Sequence, residues 1–266
     1  MERTGRALGP FHFAGGYGYN QGITLAAEGD CFMGNWVKTF ALLLVSAVLT
    51  RFIPFSSFFR NVDTLVHEFG HAVVTLLLSG KVMYIELYVD HSGVTYSSVT
   101  KPWTTIPIAL AGYMTASLFA WLLFRLYAAG KQRTGLQIVT LISVAALALF
   151  VRNPFGITWL LGFIALTVLI LAFAPRWLTS GYYLLIAFLS LEESVFGPLS
   201  LTFTAYLSPR QAGDATNLAL HTPLPAVAWA AVFSVFALWC ATKALQSFFR
   251  AGRRAAAPPT YGRQYE

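Results

Sequence analysis

His67-Glu68-Phe69-Gly70-His71 places two histidines four residues apart, with a glutamate directly after the first. On a helix, residues four apart lie on one face, so both imidazoles point the same way and can bind one Zn²⁺. Glu68 lies beside the metal and can take a proton from a water held there, then return it to a leaving amine. Zinc lowers the pKa of such a water towards about 7, which makes hydroxide available at neutral pH. The opposing reading is a pair of structural histidines hydrogen-bonded to neighbouring helices, or an Asp63/Glu68 cluster that sets helix packing. Two histidines and a glutamate in a largely apolar helix are costly unless they pair or bind something, and this favours the metal.

The elements that position these residues belong to an unusual chain. Hydrophobic residues make up 56% of the 266 and charged residues only 11%. A soluble domain carries about 25% charged residues to keep its surface wet. The composition therefore excludes an ordinary soluble globule, a disordered chain and a disulfide scaffold, and it suits one polytopic membrane domain. The formal net charge is +7. The basic residues are scattered between apolar runs, with Arg250, Arg253 and Arg254 clustered after the last one. That is the pattern of loops that set orientation and of a membrane-surface anchor, and no nucleic-acid partner is expected. No Ser/His/Asp pattern, phosphate-binding glycine loop or dinucleotide fingerprint is present.

Residues 1–34 read as a flexible extension, 35–249 as the membrane domain and 250–266 as a basic, disordered tail. Apolar stretches at 39–59, 102–124, 136–151, 154–174, 177–207 and 222–242, with the helix bearing His67, make about seven spans of the roughly 20 residues that cross a bilayer. The fold class is all-α, with about six to seven transmembrane helices. Asn61 or Asp63 is expected to cap the His67 helix, which runs to about Ser79 and stops at Gly80. Residues 81–99 change character. Two runs of strand formers flank Asp90-His91-Ser92-Gly93 and predict a short β-hairpin, which must lie at the interface or against protein.

Several pieces in order give the chain a resemblance. They are His67-Glu68-Phe69-Gly70-His71-Ala72, the hairpin's His91-Ser92-Gly93-Val94-Thr95, and Leu110-Ala111-Gly112-Tyr113. Val151-Arg152-Asn153-Pro154-Phe155-Gly156 follows, then Gly213-Asp214-Ala215-Thr216-Asn217-Leu218-Ala219, then Thr222-Pro223-Leu224-Pro225 with Trp229. Over roughly residues 60 to 240 the chain resembles the M50 family of intramembrane zinc metalloproteases, the site-2 protease clan, and within it the M50B-like group. The resemblance implies His67 and His71 as zinc ligands and Glu68 as the catalytic acid/base. It implies a membrane-protein or peptide substrate in the lipid bilayer.

The third ligand departs from the family pattern. Site-2 proteases carry it as the aspartate of an Asp-Gly motif, and this chain has no Asp-Gly. Asp214 is the best substitute, because it sits in the M50B-like Asp-Ala segment. Glu192 and Glu193 are the alternatives, although as carboxylates in an apolar run they are better explained by an interhelical hydrogen bond or as partners of Arg152 or Arg210. Asp63 is too close along the same helix. Asp214 meets a topological difficulty. With His67 near the start of its helix, an odd number of crossings separates the two, so one span must be miscounted. The candidates are 177–207, broken by Gly197-Pro198, and the short 136–151 run.

Secondary expectations concern single residues. His91 reads as a surface histidine and His221 as interfacial. Asn153 reads as a helix-end cap, or else as a holder of substrate backbone. Gly112 reads as a site of close helix approach. Lys131, Arg133, Arg176 and the basic tail favour a cytoplasmic C-terminus, with the zinc-site end of the His67 helix on the same face.

The functional expectation is a zinc-dependent intramembrane endopeptidase. The alternatives are a catalytically inactive membrane scaffold or chaperone, favoured by the absent Asp-Gly, and an ion- or proton-coupled transporter with His67, Glu68 and the Glu192–Glu193 pair as its path.

Overall fold

The computed structural model describes residues 56–256. Helix α1 spans Ser56–Leu77. Its buried stripe includes Val62, Leu65, Val66 and Ala72, spaced three or four apart as a helix seated against others requires. Asn61 and Asp63 lie inside α1 and not at its cap. Asn61 Oδ1 instead meets His91 Nδ1 at 2.8 Å, and Arg60 of the same turn pairs with Glu192 at 2.9 Å. Tertiary partners satisfy Asn61 and Arg60, so neither needs a helix end. The helix stops two residues earlier than expected. Ser79 adopts the left-handed conformation (φ 59°), and the Gly80 N–H donates to Thr75 O at 2.8 Å.

Strands β1 (Lys81–Leu87) and β2 (Gly93–Ser98) form the expected antiparallel hairpin. Asp90 accepts from the Ser92 hydroxyl and N–H within the turn. On β2, Gly93, Thr95 and Ser97 turn inward and are half-buried, while Val94, Tyr96 and Ser98 are exposed. The hairpin lies along α1. Thr64 Oγ1 donates to His91 O at 2.7 Å near the turn. His91 is thus half-buried against α1, not free at the surface.

The remaining helices are α2 (Thr105–Ala128, entered through a short 3-10 turn), α3 (Gln132–Leu149), α4 (Pro154–Phe173), α5 (Arg176–Leu207), α6 (Gly213–His221) and α7 (Ala226–Ala256). Five of them, α2 to α5 and α7, are long and apolar enough to cross a membrane. Their outward faces carry Leu141, Leu149, Leu161, Leu169 and Phe173, all more than half exposed. Such a surface would aggregate in water and is suited to lipid. The protein is a multi-pass, all-α membrane protein with one small β-hairpin. The expected span over 39–59 lies almost entirely outside the described residues, as does the tail beyond Ala256.

The bundle has two ends. At one, Ile85 N–H donates to Phe150 O at 2.9 Å and Ile85 bridges Val151, so α3 finishes beside β1. Ala109, Ala205, Ala212, Ala215, Leu218, Ala226 and Phe233 pack together there, joining the start of α2, the end of α5, α6 and the start of α7. At the other end Tyr183 donates to Leu123 O at 2.6 Å, and Tyr127 stacks on Phe248. The chain thus leaves the hairpin end on α2, returns on α3, leaves on α4 and returns on α5 to α6. That even number of passages removes the topological difficulty. Neither suspected stretch is at fault, since 136–149 lies in the continuous helix α3 and α5 continues through Pro198. His67 sits in the middle of α1, and that helix leads directly into the hairpin.

The turn between α2 and α3 and the late part of α7 meet at Tyr127 and Phe248, at the end of the bundle opposite the hairpin.

Candidate active site

Helix α1 presents His67 and His71 one turn apart, with ring centroids 4.7 Å apart and Nε2 atoms 3.0 Å apart. Helix α6 brings Asp214 to them. Its Oδ2 lies 3.2 Å from each Nε2. Among the described residues these three are the group of histidine, cysteine and acidic side chains able to share one metal ion. Tetrahedral zinc with bonds of about 2.0–2.1 Å holds its donors roughly 3.3 Å apart, close to the spacing found here. His71 Nδ1 lies 2.7 Å from Ile108 O. That carbonyl can only accept, so Nδ1 carries a proton. Nε2 is left to offer its lone pair to a metal or, when itself protonated, to donate to Asp214 Oδ2 at 3.2 Å. Burial acts to raise the Asp214 carboxyl. The charge of His71 and hydrogen bonds from both imidazoles outweigh it, and the carboxyl lies well below the usual carboxylate range. The residues present therefore fit a zinc ion.

Gly112 of α2 faces the two imidazoles. A Cβ there would strike Nε2 of both His67 and His71. The glycine does permit close approach, as its sequence context suggested, but what approaches is the pair of rings.

Glu68 is 4% exposed and points at the hairpin. Thr95 Oγ1 donates to its Oε2 at 2.6 Å. A Cβ at Gly93 would come within 2.7 Å of Glu68 Cγ. Gly93 therefore lets β2 lie directly on the glutamate, and Thr95 aims it. A cavity of about 370 Å³ lies between β2, α1, α2 and α6, lined by His67, Glu68, His71, Thr95, Tyr113 and Asp214 among others. A second, of about 230 Å³, adjoins it at His67 and Glu68 and reaches Asp63 and Glu193.

The other candidates go elsewhere. Glu192 and Glu193 both pair with Arg60, Glu192 at 2.9 Å, and not with Arg152 or Arg210. Arg152 instead donates to carbonyls at the end of α3. His221 is exposed and, among the described residues, bonds only its own helix, through Asn217 O. Asn153 stands at the N-cap position of α4 but makes no cap. Its carboxamide accepts from Leu87 N–H at 3.1 Å and donates to Leu87 O at 2.6 Å, so it grips the end of β1.

Thr95 and Tyr113 lie in the quoted motifs, yet sequence reasoning gave them no role. For Thr95 the signal was available, since Gly93, Thr95 and Ser97 put only small side chains on the inward face of β2.

The sequence model of the Peptidase M50B-like family matches residues 38–244, most of the chain. The chain belongs to that family. No curated protein and no solved structure matches it. Membership of the peptidase family supports a membrane peptidase.

Proposed function

We propose that the protein is a zinc-dependent intramembrane endopeptidase acting on membrane-embedded substrates. The observation that carries this reading is the convergence of His67 Nε2, His71 Nε2 and Asp214 Oδ2 beside a buried glutamate aimed by Thr95. The absent Asp-Gly motif, which favours an inactive scaffold, loses its force because Asp214 offers a carboxylate oxygen at the required place. Of the groups a transporter path would use, Glu192 and Glu193 are held by Arg60.

His67, His71 and Asp214 would hold the zinc. When bound, the ion supplies Lewis acidity that makes water a better nucleophile and stabilises charge on the substrate carbonyl. Glu68 accepts the proton of the attacking water and then delivers it to the departing amine, with Thr95 fixing the carboxylate's orientation. A helical substrate hides its carbonyls in i to i−4 bonds and must unwind locally before cleavage. Strand β2 pairs only with β1 among the described residues, so its outer edge is available for the unwound segment to add as a strand. The surrounding lipid faces and half-enclosed cavity limit access of bulk water.

Lys131, Arg133, Arg176 and Arg250 argue for a cytoplasmic C-terminus. The site then opens towards the opposite face.

The test is cleavage of a transmembrane peptide library in proteoliposomes. Wild type releases products, and Glu68→Gln slows release by about 10²–10⁴-fold. Equal cleavage by both proteins would refute the assignment.

A further inference from the structure

Tyr113 follows Gly112 on α2 and lines both cavities that meet at His67 and Glu68. Its ring is clamped. It stands edge-on to His67 with centroids 4.5 Å apart and packs on Phe233 at 4.9 Å. The hydroxyl is differently placed. It lies within electrostatic reach of Asp214, Asp63 and Glu68, yet it has no hydrogen-bond partner among the described residues. Nor is it sealed from the cavity, as the orphaned hydroxyls of Thr75, Ser117 and Ser190 are. The other inward-facing tyrosines of the bundle are engaged, Tyr182 with Thr167 at 2.8 Å and Tyr183 with Leu123 O at 2.6 Å. Tyr113 thus keeps a donor uncommitted in the reaction space.

Peptide hydrolysis places new negative charge on the carbonyl oxygen. Here that charge develops beside the Asp214 carboxylate, so a neutral donor next to it is valuable. The Thr95 hydroxyl is already given to Glu68. Ser97 and Thr105 line only the first cavity, whereas Tyr113 stands where the two join.

We propose that Tyr113 is a catalytic residue whose phenol O–H donates a hydrogen bond to the substrate carbonyl oxygen as it becomes an oxyanion. This rests on the peptidase reading above. The water oxygen bonds to the carbonyl carbon, the π pair moves onto the carbonyl oxygen, and the water's proton passes to Glu68. Tyr113 keeps its own proton and shares it with the oxyanion. When the C–N bond breaks, the pair returns to the carbon–oxygen bond, the amine takes the proton from Glu68, and the Tyr113 hydroxyl is free again.

Tyr113→Phe removes the donor and keeps the ring that packs on His67 and Phe233. The expected result is a fall in kcat of about 10²–10³-fold, with KM and bound zinc per chain unchanged. A phosphinic pseudopeptide, which mimics the tetrahedral state, should bind the variant more weakly than wild type by a similar factor. A cleavable peptide held by Glu68→Gln should bind equally well with or without the Tyr113 hydroxyl. Wild-type kcat in Tyr113→Phe, or unchanged affinity for the pseudopeptide, overturns the role. If Glu68→Gln is inactive while Tyr113→Phe is fully active, only Tyr113 is refuted. If Glu68→Gln also cleaves normally, the peptidase reading falls and this role falls with it.

Discussion

Gly112 of α2 lies against the ring of His71, so close that any β-carbon there would collide with Nε2. The absence of a side chain on one helix thus sets the position of a histidine on another. Gly112→Ala is expected to push both imidazoles off their common centre. Disturbing the groups that position metal ligands lowers affinity by about 10–100-fold. Zinc titration of the variant against a competing chelator, with helix content followed by circular dichroism, checks this. Unchanged affinity would show that the rings tolerate displacement.

Arg60 is 7% exposed and Glu192 2%, and they are joined across α1 and α5. Removing the cation deletes a buried ion pair that joins the two helices. Arg60→Met should therefore destabilise the fold by about 3–5 kcal/mol. Denaturant unfolding in micelles measures the loss. Bound zinc in the folded fraction should stay at the wild-type level, because neither Glu192 nor Glu193 belongs to the His67 centre.

What the sequence made legible was local. The four-residue spacing of His67 and His71 fixes their shared face, and apolar run length locates α2 to α5 because lipid demands it. The β-hairpin was readable from its strand formers and its Asp90–Gly93 turn. Contacts between distant segments were not readable. Asn61 and Asp63 have the composition of a helix cap, and only the docking of His91 and α5 onto α1 reveals why the helix continues through them. That misplaced start put His67 at the wrong depth, and the error made Asp214 seem to belong to the far side. Arg60 gave no sign of which carboxylates it would meet, since ion pairing between α1 and α5 leaves no periodic trace. Gly112 was legible as a contact point, though not as one made for two rings.

Thr95 donates to Glu68 across the hairpin–helix contact. A hydrogen bond to a carboxylate contributes about 1.5–3 kcal/mol. Lost entirely from the transition state, that amounts to roughly ten- to hundredfold in kcat. Thr95→Val should show this fall and Thr95→Ser should restore turnover, measured on one peptide substrate. Equal activity of the Val and Ser variants would mean that Glu68 is aimed by other contacts.

The active-site end of the bundle and the C-terminal end of α7 are expected on opposite faces of the membrane. With Cys31 and Cys240 replaced, single cysteines at Ser98 and Ala129, both exposed and at opposite ends, can be tagged by an impermeant thiol reagent. Labelling from opposite sides of sealed vesicles is the expected outcome. Labelling of both from one side would contradict the order of passages through the bundle.

The metal content of purified protein tests the central claim most directly. Wild type should carry one zinc per chain, and His67→Ala, His71→Ala and Asp214→Ala should each lose it, while Glu193→Gln keeps it. Wild-type protein that binds no stoichiometric zinc, or an Asp214→Ala variant that binds it as tightly as wild type, would contradict the account.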